Sequence, residues 1–203
     1  RPVVLFTSSR EGEETMWLDT LQALKDAAGD SQDHIHAVHW LVVPRHPQRF
    51  DDVAALMAER GWKVSRRSQW IDGPDADRAE DVDTVWLGDS LGEMALYYGL
   101  SDVALLGGSF APLGGQNLIE AAACACAVVM GPSVFNFSDA ASLAIEAGAA
   151  FSVGSMPQAV DAVSVMVKSQ TNLDVARDAA AHFAKSHQGA AEKTAAAVVQ
   201  LLN

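Results

Sequence analysis

The sequence predicts an α/β fold in which helices flank a mainly parallel sheet. Short apolar runs alternate along the chain with longer segments that show helical periodicity. Strands and helices in alternation imply right-handed crossovers, and these make neighbouring strands parallel. Because the 203 residues show no internal repeat, low-complexity segment or linker, we expect one domain over 1–203, with 156–203 as a C-terminal helical tail.

Apolar runs and their breaks predict the elements of the first half of the chain. VVLFTSS and HWLVVP are typical of buried strands, and FDDVAALMAERG is typical of a helix that ends at a glycine. The acidic segment WIDGPDADRAEDVD is rich in turn-forming residues and predicts a loop. In chain order we expect a strand over 3–9, a helix over 13–28, a strand over 39–44, a helix over 50–61, a strand over 62–68, a loop over 70–83, a strand over 84–88 and a helix over 92–100.

The same alternation continues through the second half of the chain. DVALLGGS runs from an apolar strand into a pair of glycines, and AVVMG has the composition of a short buried strand. The remaining segments show helical periodicity, apart from one further strand. We expect a strand over 102–109, a helix that begins near Gln116 or Asn117, a strand over 127–131, a helix over 138–147, a strand over 149–154, and helices over 156–168 and 173–202, the last with a break near Gly189.

The charge of the chain excludes several classes of partner. Its formal net charge is −12, which argues against a nucleic-acid-binding surface and against docking of this segment on anionic lipid.

No apolar run is long enough to span a membrane, and no signal-peptide pattern opens the chain. Because the chain starts directly in a strand, we expect it to be a segment of a longer protein.

Neither the cysteines nor the histidines form a pattern that predicts a metal site. Cys124 and Cys126 supply two thiols where a structural zinc site needs four ligands, and we expect them to be small buried residues in a reducing compartment. His34, His36 and His39 lie before and at the start of the strand expected over 39–44, without metal-ligand spacing. We therefore expect no metal and no cofactor.

Four polar loops follow strands of the predicted sheet. SSREGEE follows the first strand, PRHPQRF the second, GDSLGE the fourth, and the glycine-rich segment GGSFAPLGGQNLIE the fifth. Ligands of open parallel sheets bind outside the carboxyl ends of the strands. The four loops therefore predict a binding site at one edge of the sheet.

The segment GGQNLIE combines features of an anion site and of a ribose site. Gly114 and Gly115 would let the backbone approach a ligand, and a helix that opens at Gln116 or Asn117 would offer unpaired N–H groups to phosphate. Asn117 and Glu120 would share one face of the first turn, where a carboxylate can accept hydrogen bonds from both ribose hydroxyls. The alternative is a capped helix start in which the helix dipole favours Glu120.

Two other loops carry candidate binding residues. In PRHP, prolines flank Arg45 and His46, so an arginine fork suited to phosphate or carboxylate lies beside a titratable ring. The alternative for this loop is a surface turn with solvated charges. In GDSLGE, backbone groups near Ser90 could read the edge of a base, although a helix cap formed by Asp89 or Ser90 with Glu93 would explain the same residues.

Five segments together resemble a known enzyme family. SSREGEE, VPRHPQRF, VWLGDSLGEMALYYGLSDVALLGGSF, GGQNLIEAAA and GPSVFNFSD, in this order, resemble the C-terminal half of the 3-deoxy-D-manno-octulosonic acid (Kdo) transferases, which move Kdo from CMP-Kdo to a lipid A precursor. The resemblance is strong from about Val3 to Val153. Gln116 stands where the family usually has histidine, Leu118 where it has proline, and Arg10 where histidine is frequent.

The resemblance implies a fold and a set of donor-binding residues. The family has the GT-B architecture, two Rossmann-like halves around a cleft, and its C-terminal half mainly holds the nucleotide-sugar donor. On this basis Arg45, with His46 beside it, and the helix start at 115–117 would bind the anionic groups of CMP-Kdo without a metal. Glu120 and Asn117 would hold the ribose. The cytosine side would be lined by loop 88–93 with Ser90 and by Gly107, Gly108 and Ser109.

The resemblance also implies what this segment lacks. The general base, the lipid acceptor region and the membrane anchor would lie in a preceding N-terminal half, so no catalytic residue is expected here. The whole inverting enzyme would act in lipopolysaccharide core biosynthesis at the cytoplasmic face of the bacterial inner membrane. We expect the segment alone to bind CMP weakly and to transfer nothing. The alternatives are half of a UDP-sugar transferase or epimerase of GT-B layout, and a non-catalytic nucleotide-binding or partner-binding α/β module.

Overall fold

The computed structural model describes residues 1–28, 38–74 and 81–187. These residues form the predicted α/β fold around one sheet of seven parallel strands. The strands are β1 (Val3–Ser9), β2 (His39–Pro44), β3 (Lys63–Arg66), β4 (Thr84–Leu87), β5 (Val103–Leu106), β6 (Ala127–Met130) and β7 (Ala150–Ser152). Their order in the sheet is β3-β4-β2-β1-β5-β6-β7.

Helices connect the strands and cover the sheet. Within the described ranges they are α1 (Glu13–Ala28), α2 (Phe50–Glu59), α3 (Met94–Leu100), α4 (Ile119–Ala123), α5 (Ser138–Glu146), α6 (Met156–Met166) and α7 (Gln170–Ser186). Short 3-10 turns precede α2 at Pro47–Arg49, follow β3 at Arg67–Gln69 and precede α5 at Phe135–Phe137.

Both faces of the sheet are buried, as the apolar strand sequences require. Phe6 of β1 packs with Trp17 of α1, their ring centroids 6.3 Å apart, in a cluster that α2 and α6 also join. Leu5, the neighbouring residue of β1, lies in the opposite cluster with Tyr97 of α3 and Phe183 of α7. Successive residues of a strand point to opposite faces, so a sheet covered on both sides gives continuous apolar runs instead of alternating ones.

Local signals place several helix ends where the sequence predicts them. Gly12 has a φ of +87° and directly precedes α1, whose first turn carries Glu13 and Glu14 near the positive end of the helix dipole. Gly61, with a φ of +83°, stops α2, whose last helical residue is Glu59.

The predicted helix start at Gln116 or Asn117 is wrong. The segment from Gly114 to Asn117 is an irregular loop, and α4 begins at Ile119. Gly114 and Gly115 both have positive φ values, +84° and +76°, so the chain is still turning where the sequence pattern suggested helix. Asn117 Oδ1 accepts a hydrogen bond from the Ile119 N–H at 3.0 Å, and this side-chain bond comes before the first helical turn.

Other differences concern the ends of elements. The predicted strand over 62–68 is shorter, because the chain enters a 3-10 turn at Arg67. Helix α3 begins at Met94 without a side-chain cap, so the capping alternative for GDSLGE is not formed. The predicted break near Gly189, part of the loop over 70–83, and both His34 and His36 lie outside the described residues.

The strand order places a topological switch point between β1 and β5. From β1 the chain builds the sheet in one direction through β2, β3 and β4, and it then crosses to the other side of β1 to add β5, β6 and β7. The loops that leave β1 and β5 therefore diverge and open a crevice at the carboxyl ends of these strands. Open α/β sheets bind their ligands at such a point.

Candidate nucleotide-binding site

A cavity of about 290 Å³ lies at this carboxyl edge. Its walls come from the carboxyl ends of β1 and β2 and from the segments that follow β2, β4 and β5, and each of the four polar segments predicted from the sequence supplies at least one lining residue. The cavity is lined by Ser8, Val43, Pro44, Arg45, Phe50, Ser90, Leu91, Gly92, Met94, Tyr98, Gln116, Asn117 and Glu120.

The predicted site residues fall into two groups in the structure. Arg45, Ser90, Gln116, Asn117 and Glu120 line the cavity. The remaining six are not among its lining residues; they are His46, Gly107, Gly108, Ser109, Gly114 and Gly115.

Arg45 extends from the loop directly after β2. Its backbone N–H donates to the Ser9 carbonyl at 3.0 Å, which ties it to the end of β1, while its side chain is exposed at the cavity. Among the described residues, no carboxylate pairs with this guanidinium. In a chain of net charge −12, an arginine without an acidic partner at a cavity is available to bind an anion.

His46 lies beside Arg45, but its backbone takes part in the 3-10 turn that follows. Its carbonyl accepts the Arg49 N–H at 3.0 Å, so His46 begins the 3-10 turn Pro47–Arg49. Its exposed ring does not line the cavity.

Asn117 and Glu120 form a hydrogen-bonded pair at the cavity wall. Asn117 Nδ2 donates to Glu120 Oε1 at 3.2 Å. The pair forms although Asn117 precedes the helix, because the Ile119 N–H holds the asparagine side chain at the start of α4. Within the described residues, the second carboxylate oxygen of Glu120 has no hydrogen-bond partner, so it can accept one from a bound hydroxyl.

The two glycine pairs serve close packing of the chain against itself. A Cβ on Gly107 would lie 2.3 Å from the Ser8 carbonyl oxygen, and one on Gly114 would lie 2.3 Å from Asn136 Nδ2. Gly115, at a φ of +76°, packs against the same 133–136 segment. These glycines therefore allow close packing against β1 and the 133–136 segment, and their predicted contact with a ligand stays a prediction.

Ser109 and Gly108 are buried and already hydrogen-bonded. The Ser109 hydroxyl donates to the Leu106 carbonyl and accepts the Gly131 N–H at 2.8 Å, joining the ends of β5 and β6. The Gly108 N–H donates to Glu13 at 2.7 Å. These two residues hold the loop behind the cavity.

Two adjacent glutamates have larger roles than the sequence indicates. Glu13 is fully buried and accepts backbone N–H groups of the loop after β5. Glu14, 1 % exposed, accepts the Ser9 hydroxyl at 2.7 Å and a bidentate pair from Arg49 at 2.8 and 3.0 Å. The helix dipole explains acids at the start of α1, but their distant partners cannot be read from local sequence.

The loop over 88–93 is fastened to the end of β3. The Asp89 carboxylate accepts a hydrogen bond from the Arg66 guanidinium at 2.6 Å. It also accepts hydrogen bonds from the N–H and the hydroxyl of Ser68, at 2.8 and 2.7 Å. Burial would raise the pKa of the Asp89 carboxyl, but the hydrogen bonds from Ser68 and Arg66 outweigh it and hold that pKa below its usual range.

The side chain of Ser90 is engaged in hydrogen bonds within its own loop and with α3. Its hydroxyl donates to Glu93 and contacts the Tyr97 hydroxyl, while Arg67 binds the other oxygen of Glu93 at 2.7 Å. Hydrogen bonds from Ser90 and Arg67 lower the pKa of Glu93.

Tyr98 lines the cavity as an uncharged side chain. Burial raises the pKa of its phenol, and the phenol oxygen lies 3.0 Å from Thr7 Oγ1.

The Asp89 network predicts an acid-sensitive contribution to stability. A carboxyl whose folded-state pKa is lowered stabilises the fold above its unfolded pKa, near 4, and loses that contribution as the pH falls through the folded pKa. Asp89→Asn should lower the free energy of unfolding by about 1.5–3 kcal/mol at pH 7, and by much less at pH 2–3. Urea denaturation at a series of pH values measures both.

A neighbouring aspartate provides the control for this prediction. Asp51 also pairs with Arg66, at 2.6 Å, but its side chain is 85 % exposed. Asp51→Asn should therefore change stability by about 0–1 kcal/mol at any pH. Parallel pH profiles for wild type and Asp89→Asn would contradict the assignment.

The arrangement defines a class of protein. The described residues contain no group of three or more His, Cys, Asp or Glu that could hold a metal ion. No described helix is both long enough and apolar enough to cross a bilayer. A parallel, Rossmann-like sheet with a cavity over its switch point, an arginine with no acidic partner among the described residues and an Asn–Glu pair is typical of a nucleotide-binding α/β domain.

Comparison with known proteins identifies the family within this class. The chain is 41 % identical over 194 residues to the 3-deoxy-D-manno-octulosonic acid transferase of Bordetella pertussis, covering 96 % of the chain and 43 % of that protein. It is 30 % identical over 194 residues to the enzyme of the same name from Haemophilus influenzae, covering 95 % and 42 %. The chain belongs with the 3-deoxy-D-manno-octulosonic acid transferases, as the sequence resemblance indicated, and it spans less than half the length of these curated relatives.

Solved structures agree with this assignment. The C-terminal CMP-Kdo binding domain of WaaA from Acinetobacter baumannii superposes with a TM-score of 0.74 at 29 % identity, over 90 % of this chain and 89 % of that one. WaaG, a glycosyltransferase involved in lipopolysaccharide biosynthesis, matches with a TM-score of 0.53 at 14 % identity, over 96 % and 46 %, which supports the GT-B fold alone. No family model matches the chain.

Proposed function

We propose that residues 1–203 form the donor-binding domain of a glycosyltransferase that moves Kdo from CMP-Kdo to a lipid A precursor. The observation that carries the proposal is the cavity at the β1/β5 switch point, where Arg45 and the Asn117–Glu120 pair meet in a homologue of Kdo transferases. The structural neighbour named as a CMP-Kdo binding domain supports the donor.

Arg45 would bind an anionic group of the donor. Its planar guanidinium can form two parallel hydrogen bonds with phosphate oxygens, and its charge has no acidic partner to displace within the described residues. During transfer, the bond between the anomeric carbon and the phosphate oxygen breaks and CMP takes the electron pair. A cation at the phosphate would stabilise this leaving group.

The loop after β4 would bind the base through its main chain. The Ser90 hydroxyl is engaged with Glu93 and Tyr97. Within the described residues, by contrast, no hydrogen bond uses the backbone N–H groups of Leu91 and Gly92, which line the cavity. Backbone donors there match the O2 and N3 acceptors of cytosine.

Glu120 would hold the ribose. One of its oxygens is oriented by Asn117 Nδ2 at 3.2 Å, and the other can accept a hydroxyl proton. Its exposed position at the start of α4 means that a ligand reaches it without rearrangement of the core.

The remaining chemistry falls outside these binding residues. In the proposed reaction the acceptor hydroxyl loses its proton to a general base and attacks the anomeric carbon with inversion. We assign that base, the lipid acceptor site and the attachment to the cytoplasmic face of the bacterial inner membrane to other parts of the whole enzyme, as the family resemblance implies.

A nucleotide panel tests the proposal. Isothermal titration of the chain with CMP, UMP and AMP should show binding that favours CMP. Equal or tighter binding of UMP would instead favour a UDP-sugar transferase or epimerase. Absence of binding to all three nucleotides would leave the non-catalytic partner-binding module, and measurable Kdo transfer by the chain alone would contradict the assignment of the base elsewhere.

Glu120→Gln should weaken CMP binding because it removes the charge that accepts the ribose hydroxyl bonds. A hydrogen bond to a charged group contributes about 1.5–3 kcal/mol, which corresponds to roughly a 10- to 150-fold change in affinity. Binding of 2′,3′-dideoxy-CMP provides the internal control, since it lacks the hydroxyls and should change little. Equal losses for both nucleotides would make Glu120 an acid that supports the helix start.

A further inference from the structure

A buried carboxylate lies behind the wall of the cavity. Glu13 is the first residue of α1, and its side chain is fully buried. Its Oε2 accepts the N–H groups of Arg10 at 2.9 Å and Gly108 at 2.7 Å. Its Oε1 accepts those of Phe110 at 2.9 Å and Ala111 at 3.2 Å. One carboxylate therefore binds four backbone donors, three of which belong to the loop after β5.

The charge of Glu13 is stabilised by these dipoles. Within the described residues no lysine or arginine forms an ion pair with it, whereas its neighbour Glu14 is paired with Arg49. Backbone N–H groups and the start of a helix stabilise an anion without adding a mobile cation. A neutral side chain at 13 would leave several buried N–H groups without an acceptor of equal strength.

The bonded loop leads directly to the cavity wall. The Gly108 carbonyl accepts the Gly115 N–H at 2.8 Å, which closes the segment between them into a compact turn. Gln116 and Asn117 follow immediately and line the cavity. The hydrogen bond between Gly108 and Gly115 joins the two ends of the turn. A contact that holds Gly108 in place therefore also determines where Gln116 and Asn117 lie.

We propose that Glu13 is a positioning residue for the nucleotide site, and that it holds the 108–115 turn so that Gln116 and Asn117 face the ligand. This inference rests on the proposed function and deepens it. Glu13 does not touch the cavity; it acts through the four backbone hydrogen bonds and the Gly108–Gly115 contact.

The test compares two carboxylates at opposite ends of the same pair of strands. Asp102 precedes β5 at its amino end, where it accepts the Val3 N–H at 2.8 Å and lies 3.3 Å from Arg177. Glu13→Gln and Asp102→Asn make the same change from carboxylate to amide. Both should lower the Tm. In CMP titrations at a temperature where both variants are folded, Glu13→Gln should lose at least 10-fold in affinity, and Asp102→Asn should stay within about 2-fold of wild type.

Amide hydrogen exchange provides a readout that does not depend on the ligand. Glu13→Gln should increase the exchange of the Phe110, Ala111 and Gly115 amides, while Asp102→Asn should leave them protected. If wild type fails to bind CMP, the proposed function is lost, but this exchange pattern still decides whether Glu13 holds the turn.

Two results would overturn the positioning role. One is a folded Glu13→Gln variant with wild-type CMP affinity and wild-type exchange of the turn. The other is a loss of affinity that is equal in Glu13→Gln and Asp102→Asn, which would make it a general consequence of destabilisation. If Glu13→Gln does not fold, Glu13→Asp takes its place, because it keeps the charge on a shorter side chain. Glu13→Asp should also increase the exchange of the Phe110, Ala111 and Gly115 amides, and its loss of CMP affinity should be smaller than the 10-fold expected for Glu13→Gln.

Discussion

Replacing Arg49 with methionine should destabilise the fold by about 3–5 kcal/mol. The change leaves the Glu14 carboxylate, 1 % exposed, without the bidentate partner that now neutralises it. The Ser9 hydroxyl would remain its single described hydrogen-bond donor. For a domain of this size the loss corresponds to a fall in Tm of about 6–20 °C, which calorimetry measures directly.

An exposed ion pair supplies the matched control for Arg49→Met. Arg60 bonds Asp19 at 2.5 Å, but the two side chains are 38 % and 60 % exposed, so Arg60→Met should cost about 0–1 kcal/mol. Adding Glu14→Gln to Arg49→Met should restore part of the stability, because the uncompensated charge disappears. If Arg49→Met and Arg60→Met lose the same stability, the buried Glu14–Arg49 pair contributes no more to the free energy of unfolding than an exposed pair does.

The Arg49 variant should also weaken nucleotide binding. The Glu14–Arg49 pair joins α1 to the turn Pro47–Arg49, and Arg45 lies two residues before that turn with its N–H donating to the Ser9 carbonyl. Loosening this connection displaces the one cavity-lining arginine of the described structure.

Gly107→Ala is the second change with a large expected effect. A Cβ at this position would lie 2.3 Å from the Ser8 carbonyl oxygen and 2.5 Å from the Thr7 carbonyl oxygen. Both are backbone atoms of β1, so no flexible side chain can move away. We expect a loss of about 3 kcal/mol, at the upper end of the usual cost of overpacking, measured by urea denaturation.

A second glycine tests whether the cause is steric. Gly99 lies in α3 with open space around the position of a Cβ, so Gly99→Ala should be neutral or stabilise by up to about 1 kcal/mol. A Gly107→Ala variant as stable as Gly99→Ala would mean that β1 and β5 can separate without cost.

Some of the site was predictable because it follows from the order of elements. Parallel strands end at the same edge, so residues directly after β2, β4 and β5 had to lie near each other once the alternation was recognised. Arg45 and Ser90 are such residues, Glu120 lies at the start of the helix that follows β5, and all three line the cavity. The role of each toward a nucleotide remains a prediction.

Other residues could not be assigned from the sequence because their partners are distant. Glu13 and Gly108 are 95 positions apart, and Glu14 and Arg49 are 35 apart. No periodicity links such pairs, since the register of loops depends on how helices pack on the sheet. For the same reason the packing partners of the glycines at 107 and 114 could not be read from the sequence, and their predicted contact with a ligand stays a prediction.

The sequence by itself determined the α/β class, the alternation of elements and the edge at which polar loops collect. These depend on local preferences: apolar runs for strands buried on both faces, helical periodicity for the connections, and glycine where a helix stops. Tertiary structure alone decided that α4 begins at Ile119, that Ser109 is buried, and that Glu13 and Glu14 bind the loops around the cavity. The physical reason is that a buried polar group must find a partner wherever the fold places one, and that place is set by packing between segments far apart in the chain.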